Sequence, residues 1–266
     1  MNRASSFIKQ IVIAVCLGLI AVGAELPAAR AADKPPLKAL FVTGGGYHDY
    51  QKLVPYLTTN LSERIYVKFD VVFGMNALKD GKFAKAYDVV VYDVCFDDAE
   101  AIEVQTAMRV AKAGKPTVMI HCAVHAFRNS PSVHEWEDLC GMRSKVHDPY
   151  QAFATEKLDT SSPITKAFPA DWKTPGDELY QTIELMAGSQ ALLRAKSPKD
   201  GREHTVCWTH EYGKGRVFAT TLGHDFKTVE SADYLGLLAN GILWACDKLK
   251  ADGTPKNGFE APKHSH

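Results

Sequence analysis

The chain has 266 residues, with 31 Lys and Arg against 31 Asp and Glu, and 46% of its residues are hydrophobic. That length suits one large domain or two small ones around a sizeable core. The balanced charge argues against a general nucleic-acid binder, and the apolar share, with only 23% charged residues, argues against global disorder.

In chain order, Arg3 and Lys9 precede an apolar run from Ile11 to Val22, and Ala29-Arg30-Ala31 follows. A basic start, a short apolar stretch and an Ala-x-Ala site form the pattern of a secretory signal, so cleavage is expected before Ala32, with Val22-Gly23-Ala24 offering an earlier site. The run is too short to span a bilayer comfortably, and no later stretch is long and apolar enough to do so. The expected mature chain keeps 28 basic and 30 acidic residues, so it stays nearly neutral. It is expected to work in the periplasm or outside the cell. Five of the six cysteines remain, and no pair of them shows CxxC or zinc-finger spacing.

Leu37 to Val42 reads as a strand broken by Gly44-Gly45-Gly46. That glycine run lacks the spacing of either nucleotide fingerprint, so it reads as a turn allowing close approach. Gln51 to Arg64 carries Leu53, Val54, Leu57 and Leu61 on one helical face. Val67 to Phe73 and Val89 to Val94 are further strands, the latter apolar enough for a sheet covered on both faces. Asp97 or Asp98 is expected to cap a helix running to about Lys112, which Gly114 ends. Pro116 to His121 is a fourth strand. Residues 130–175 read as an irregular insertion, Thr205 to Leu222 as a hairpin turning at Gly213-Lys214-Gly215, and Tyr234 to Leu249 as a closing helix. The polar tail, 251–266, is expected to fray. Strands alternating with helices predict an α/β fold with a parallel sheet flanked by helices.

Ligands of such sheets sit beyond the carboxyl ends of the strands, where the reactive side chains of this sequence gather. They are His48 and Asp49 after the first strand, His121 to His125 after the fourth, and His224 and Asp225 after the last. His147 can fold over them from the insertion. Three neutral imidazoles and a water make a catalytic-zinc arrangement, so His121, His147 and His224 are the candidate ligands of a divalent metal, zinc first. The His121 and His125 spacing lacks the Glu of HExxH and reads poorly as a zincin. Cys122 with His224 as base is a nucleophile alternative, but Ile120 and Val124 crowd the glycine positions of an elbow. The four tryptophans read as core, and His204 and His210 near the hairpin as exposed.

Several segments together resemble the trehalose-utilisation, or ThuA-like, family. Trp208 to Asp225 (WTHEYGKGRVFATTLGHD) is the strongest. Asp177-Glu178-Leu179-Tyr180 matches the DELY element, and Ser162-Pro163-Ile164-Thr165 matches HPIT with Ser in place of His. His121, the stretch from Leu139 to His147, His48-Asp49 and Gly241 to Ala245 also fit. The resemblance covers most of Leu37 to Asp247. It implies a flavodoxin-like fold, similar to class I glutamine amidotransferases, over residues 32–250. It implies no glutaminase activity, since the G-x-C-x-G elbow and H-x-E pair are missing. Family members are linked to the metabolism of trehalose and other glycosides, including routes through oxidised sugars. The expected activity is therefore acid/base chemistry on a glycoside or keto sugar, with a metal able to assist. The catalytic candidates are His48, Asp49, Glu178, Tyr180, His224 and Asp225. A non-catalytic sugar-binding or scaffold protein is the alternative. The partner expected is a small carbohydrate, with no nucleic acid or stable membrane span, and a homo-oligomer is allowed.

Overall fold

The structure, a computed structural model, describes residues 34–262. The leader and its cleavage site, together with His264 and His266, lie outside the described residues. Among the described residues, no helix is long and apolar enough to cross a membrane.

Strands β1 (Leu37–Gly45), β2 (Val67–Phe73), β3 (Val89–Cys95), β4 (Thr117–Ile120), β5 (Met142–His147), β6 (Glu156–Lys157), β7 (Tyr180–Leu185), β8 (Ser189–Lys196), β9 (Glu203–Tyr212) and β10 (Gly215–Thr220) build two sheets. The main sheet has the order β2-β1-β3-β4-β10-β9-β8-β6. Its first five strands are parallel and its last three pair antiparallel. Taken alone, the parallel strands follow the 2-1-3-4-5 order of flavodoxin-like sheets. The expected α/β class and the hairpin are therefore both present. The β8 and β6 extension went unread, because Ser189 to Lys196 mixes polar and apolar residues without strict alternation.

Helices α1 (Tyr50–Arg64), α2 (Ala101–Lys112), α3 (Val133–Cys140), α4 (Phe226–Val229) and α5 (Ala232–Ala245) flank this sheet. Alternate strand residues separate the core into two faces. Phe41, Val91, Ile120 and Phe218 pack with α1 and α5, whereas Val42, Tyr92, Met119 and Ala219 pack with α2 and α3. Every residue of β3 is buried, as its continuous apolar run predicts. Trp136, Trp172 and Trp208 lie in the core, and Trp244 is half-buried beneath Arg216.

Several local expectations need correction. α2 is capped by Glu100, whose side chain forms a capping box with Glu103, and not by Asp97 or Asp98. Asp97 instead takes an ion pair from Arg128 and a hydrogen bond from Tyr47. The insertion is less irregular than its composition suggests, since it contains α3 and β5. α5 stops at Ala245, not Leu249. His204 and His210 are buried: His204 accepts from the Thr182 amide, and His210 bonds Ser189. The described part of the tail docks, because Phe259 is buried and its carbonyl accepts from the Tyr66 amide.

The glycine run acts as the close-approach turn expected. Gly45 has φ +120°, and a Cβ there would stand 2.2 Å from the Cys95 carbonyl oxygen across the β1–β3 pair. Backbone on backbone leaves nothing that can swing aside. Gly45→Ala is expected to cost about 2–3 kcal/mol, read as a lower urea midpoint with an unchanged slope.

Candidate active site

Loops at the carboxyl ends of the parallel strands meet in one cleft of about 420 Å³. The turn after β1 supplies His48, β3 ends in Cys95, the turn after β4 supplies Cys122, and the loop after β10 supplies His224. The small β5–β7 sheet reaches over this rim. It pairs His147 with Tyr180 in register and places Glu178 just ahead of β7. Sheet topology thus brings together residues that are as much as 176 positions apart, from His48 to His224.

The floor is an imidazole cluster around one carboxylate. The His48, His121 and His224 rings stand edge to face, with centroids 4.8–5.3 Å apart. Glu178 Oε2 lies 3.2 Å from His224 Nδ1 and 3.6 Å from His121 Nε2, and its Oε1 lies 3.7 Å from His147 Nε2. Two tautomers follow from the neighbours, because a carbonyl only accepts. His121 Nδ1 donates to the Thr221 carbonyl at 2.6 Å, and His147 Nδ1 donates to the Asp148 carbonyl at 2.8 Å. In both rings Nε2 is the atom that faces Glu178, and the Tyr180 hydroxyl also stands 3.4 Å from His121 Nε2. His121 has φ +46°, a strained left-handed conformation at the end of β4.

Asp177 organises the backbone behind this cluster. It is fully buried and accepts from the amides of Glu178 at 2.8 Å, Gly223 at 2.8 Å and His224 at 3.3 Å. Burial nevertheless pushes its pKa up to about 6. Burial also opposes charge on His224, but the Glu178 carboxylate outweighs it and raises that imidazole above its ordinary range. Glu178 is lowered in turn, because His224, His147 and His48 outweigh its burial. Burial holds His121 well below the ordinary range, with His48 adding to the effect. His48 is raised, since its bond to Cys122 overcomes burial.

Comparison with known proteins places the chain in a family. A family model described as ThuA, trehalose utilisation, matches residues 38–245. The chain belongs to the ThuA family. A solved ThuA-like protein from Parabacteroides merdae is 22% identical with a TM-score of 0.68, over 86% of this chain and 98% of that one. Another, from Bacteroides uniformis, is 19% identical with a TM-score of 0.65, over 82% and 95%. A β-galactosidase from Rahnella sp. R3 is 14% identical with a TM-score of 0.54, over 77% of this chain and 31% of that one. At these identities the likeness is one of fold. No curated protein matches in sequence.

In this ThuA-family chain, His48, His121, His147, Glu178, Tyr180 and His224 come together as the sequence suggests. Asp49 does not, as it is exposed and ion-paired with Lys52 at 2.8 Å. Asp225 stands outside too: it caps α4 through the Lys227 amide and accepts from Tyr150. Of the three expected metal ligands, His121 and His224 group closely with Glu178, a catalytic candidate, while His147 is not part of that group. His125 is structural. It stacks on Tyr180 at 3.7 Å and bonds Ser144. The strained turn position belongs to His121, whereas an elbow would give it to the nucleophile. Cys122 contacts His48 at 3.1 Å and accepts from Tyr180 at 3.4 Å. The neighbouring Cys95 thiol and burial raise the Cys122 pKa far above the usual thiol range, which suppresses the thiolate that nucleophilic attack needs.

Two buried carboxylates beside the imidazole cluster are absent from the sequence-based candidates. Asp177 stood in the DELY element beside the residues chosen from it. Asp93 is a lone carboxylate in the apolar run of β3, a signal in its own right.

Proposed function

We propose that this ThuA-family chain is a carbohydrate-processing enzyme that acts on a glycoside or oxidised sugar by histidine acid/base chemistry. The family's description supports the substrate class. The observation that carries the reading is the convergence of His48, His147, Glu178 and Tyr180 on one cleft of about 420 Å³, a volume in the range of small-molecule sites.

A hydrogen beside the carbonyl of a keto sugar is acidic. His147 is the base: its Nε2 lone pair is fixed by the Nδ1 bond to Asp148, and its ring is 40% exposed along the cleft. Proton removal leaves an enolate. Return of a proton to the opposite face gives the epimer, and expulsion of a glycosidic oxygen two carbons away gives elimination, the proton passing to the leaving oxygen. His48, which lines the same cleft, returns the proton in either course. Glu178 orients a sugar hydroxyl. Purified protein incubated with 3-keto-glycosides and with trehalose is expected to show turnover by mass spectrometry. His147→Ala and Glu178→Gln should each lower it about 100-fold. Thermal stabilisation by the sugars without any turnover would reject the enzyme in favour of a binding protein.

The same proposal places the protein outside the cytoplasm, on the leader pattern from Arg3 to Ala31. Intact-mass and N-terminal sequencing of the protein from a periplasmic fraction should start at Ala32. Full-length chain confined to the cytosol would reject export.

A further inference from the structure

We propose that His121 Nε2, Glu178 Oε2 and His224 Nδ1 bind one divalent cation of the zinc type, with a further coordination position open to the cleft. The three atoms lie within 4.8 Å of one another. Ligands about 2.1 Å from a tetrahedral ion stand about 3.4 Å apart, and Glu178 Oε2 is 3.2 Å and 3.6 Å from the two imidazole nitrogens. Two imidazoles and a carboxylate form a known catalytic-zinc donor set.

Each ligand atom is prepared by a neighbour. The Thr221 carbonyl takes the Nδ1 proton of His121 and leaves Nε2 with its lone pair, the usual support behind a metal-binding histidine. Asp177 holds the backbones of both Glu178 and His224, so one buried carboxylate sets the separation of two ligands. His224 Nδ1 is buried and, despite its closeness to Glu178, has no aligned hydrogen-bond partner among the described residues. The other buried side-chain atoms without such a partner there are Tyr50 Oη and Thr221 Oγ1. Tyr50 packs its ring edge to face with that of His48, and Thr221 braces His121 through its backbone carbonyl. Buried polar atoms are normally paired, so the unpartnered His224 Nδ1 calls for an explanation, and a bound ligand supplies one.

A second set, His48, His121 and Cys122, also groups closely. The Tyr180 hydroxyl contacts both Cys122 Sγ and His121 Nε2 at 3.4 Å, so it does not separate the sets. The Glu178 set is favoured because it brings a carboxylate and the unpartnered His224 Nδ1, whereas the Cys122 thiol is held protonated. A bound cation would supply Lewis-acid polarisation of a substrate carbonyl. The inference goes beyond the proposed reaction, and it is read without sugar, so either can fail alone.

The test strips the purified protein with a chelator and titrates Zn²⁺ by calorimetry, with Co²⁺ absorption reporting the coordination. One equivalent per chain and the strong visible bands of a tetrahedral cobalt centre are expected. Glu178→Gln and His224→Ala should each weaken binding about 100-fold or more, while His147→Ala and Cys122→Ser stay within about threefold of wild type. Far-UV circular dichroism confirms that each variant is folded, and the near-isosteric Glu178→Gln serves if His224→Ala is not. Absence of a saturable equivalent in wild type would overturn the proposal, as would wild-type affinity in the folded ligand variants. Affinity lost in Cys122→Ser but kept in Glu178→Gln would assign the ion to the other set and equally overturn it.

Discussion

Asp177→Ala is expected to lower the stability of the fold by about 3–5 kcal/mol, although Asp177 touches no solvent. Its two oxygens accept three backbone amides, from Glu178, Gly223 and His224. Truncation leaves all three N–H groups unpaired in a site with little access for water. Each such orphan costs about 1–3 kcal/mol. Asp177→Asn separates the components. An amide oxygen in the Oδ1 position keeps the Glu178 and His224 bonds, but the NH₂ then faces the Gly223 N–H, donor against donor. The Asn variant should therefore fall between wild type and Ala in urea-unfolding midpoint. Equal midpoints for Ala and Asn would show that the Gly223 bond dominates, and a wild-type midpoint for Ala would dismiss the backbone role. Since the same bonds set the positions of Glu178 and His224, loss of stability and loss of the clustered site should go together.

The sequence made the sheet and its rim legible for one physical reason. Buried parallel strands must be continuous apolar runs, and the residues that follow them emerge at one edge. VVVYDV and the GHD after the hairpin could be read with no structure in hand. The β5–β7 layer was harder, because its faces are half-exposed and its pairing is interrupted by register shifts between Arg143 and Ser144 and between Ser144 and His147. His147 could be named as a candidate, but not the distance that makes it a neighbour of Glu178 and not of His121. Cap chemistry was read one turn too early, since Asp97 is drawn off by Arg128 and Tyr47. The roles of Asp49 and Asp225 were likewise decided by neighbours: Lys52 draws Asp49 off as an i,i+3 partner at the start of α1, and Tyr150 reaches Asp225 from 75 residues away through loop geometry.

Asp93 gives the second large effect, and its sign runs opposite to ordinary acid denaturation. It occupies the α1–α5 face of β3, between Val91 and Cys95, and burial pushes its pKa from 3.8 up to about 7. The charged groups and phenols facing it are His48, whose charge opposes the rise, Tyr50 of α1 and Tyr234 of α5. A folded-state pKa above the unfolded one means that the native chain holds the proton more tightly. Its contribution is fully present below about pH 4 and is lost as pH rises through about 7. The three-unit shift corresponds to about 4 kcal/mol. Asp93→Asn removes the titration while keeping the side chain's shape. The stability gap between variant and wild type should therefore move by about 4 kcal/mol in favour of Asn between pH 4 and pH 8. Asp177, raised to about 6, adds a slope of the same sign that both proteins share and that cancels in the comparison. Urea unfolding of the two proteins across that range provides the measurement, and parallel curves would show that Asp93 does not titrate there. Protonation of Asp93 as the pH falls through about 7 would also remove one negative charge from behind His48, leaving Glu178 and Asp177 as the acids that face the imidazole cluster.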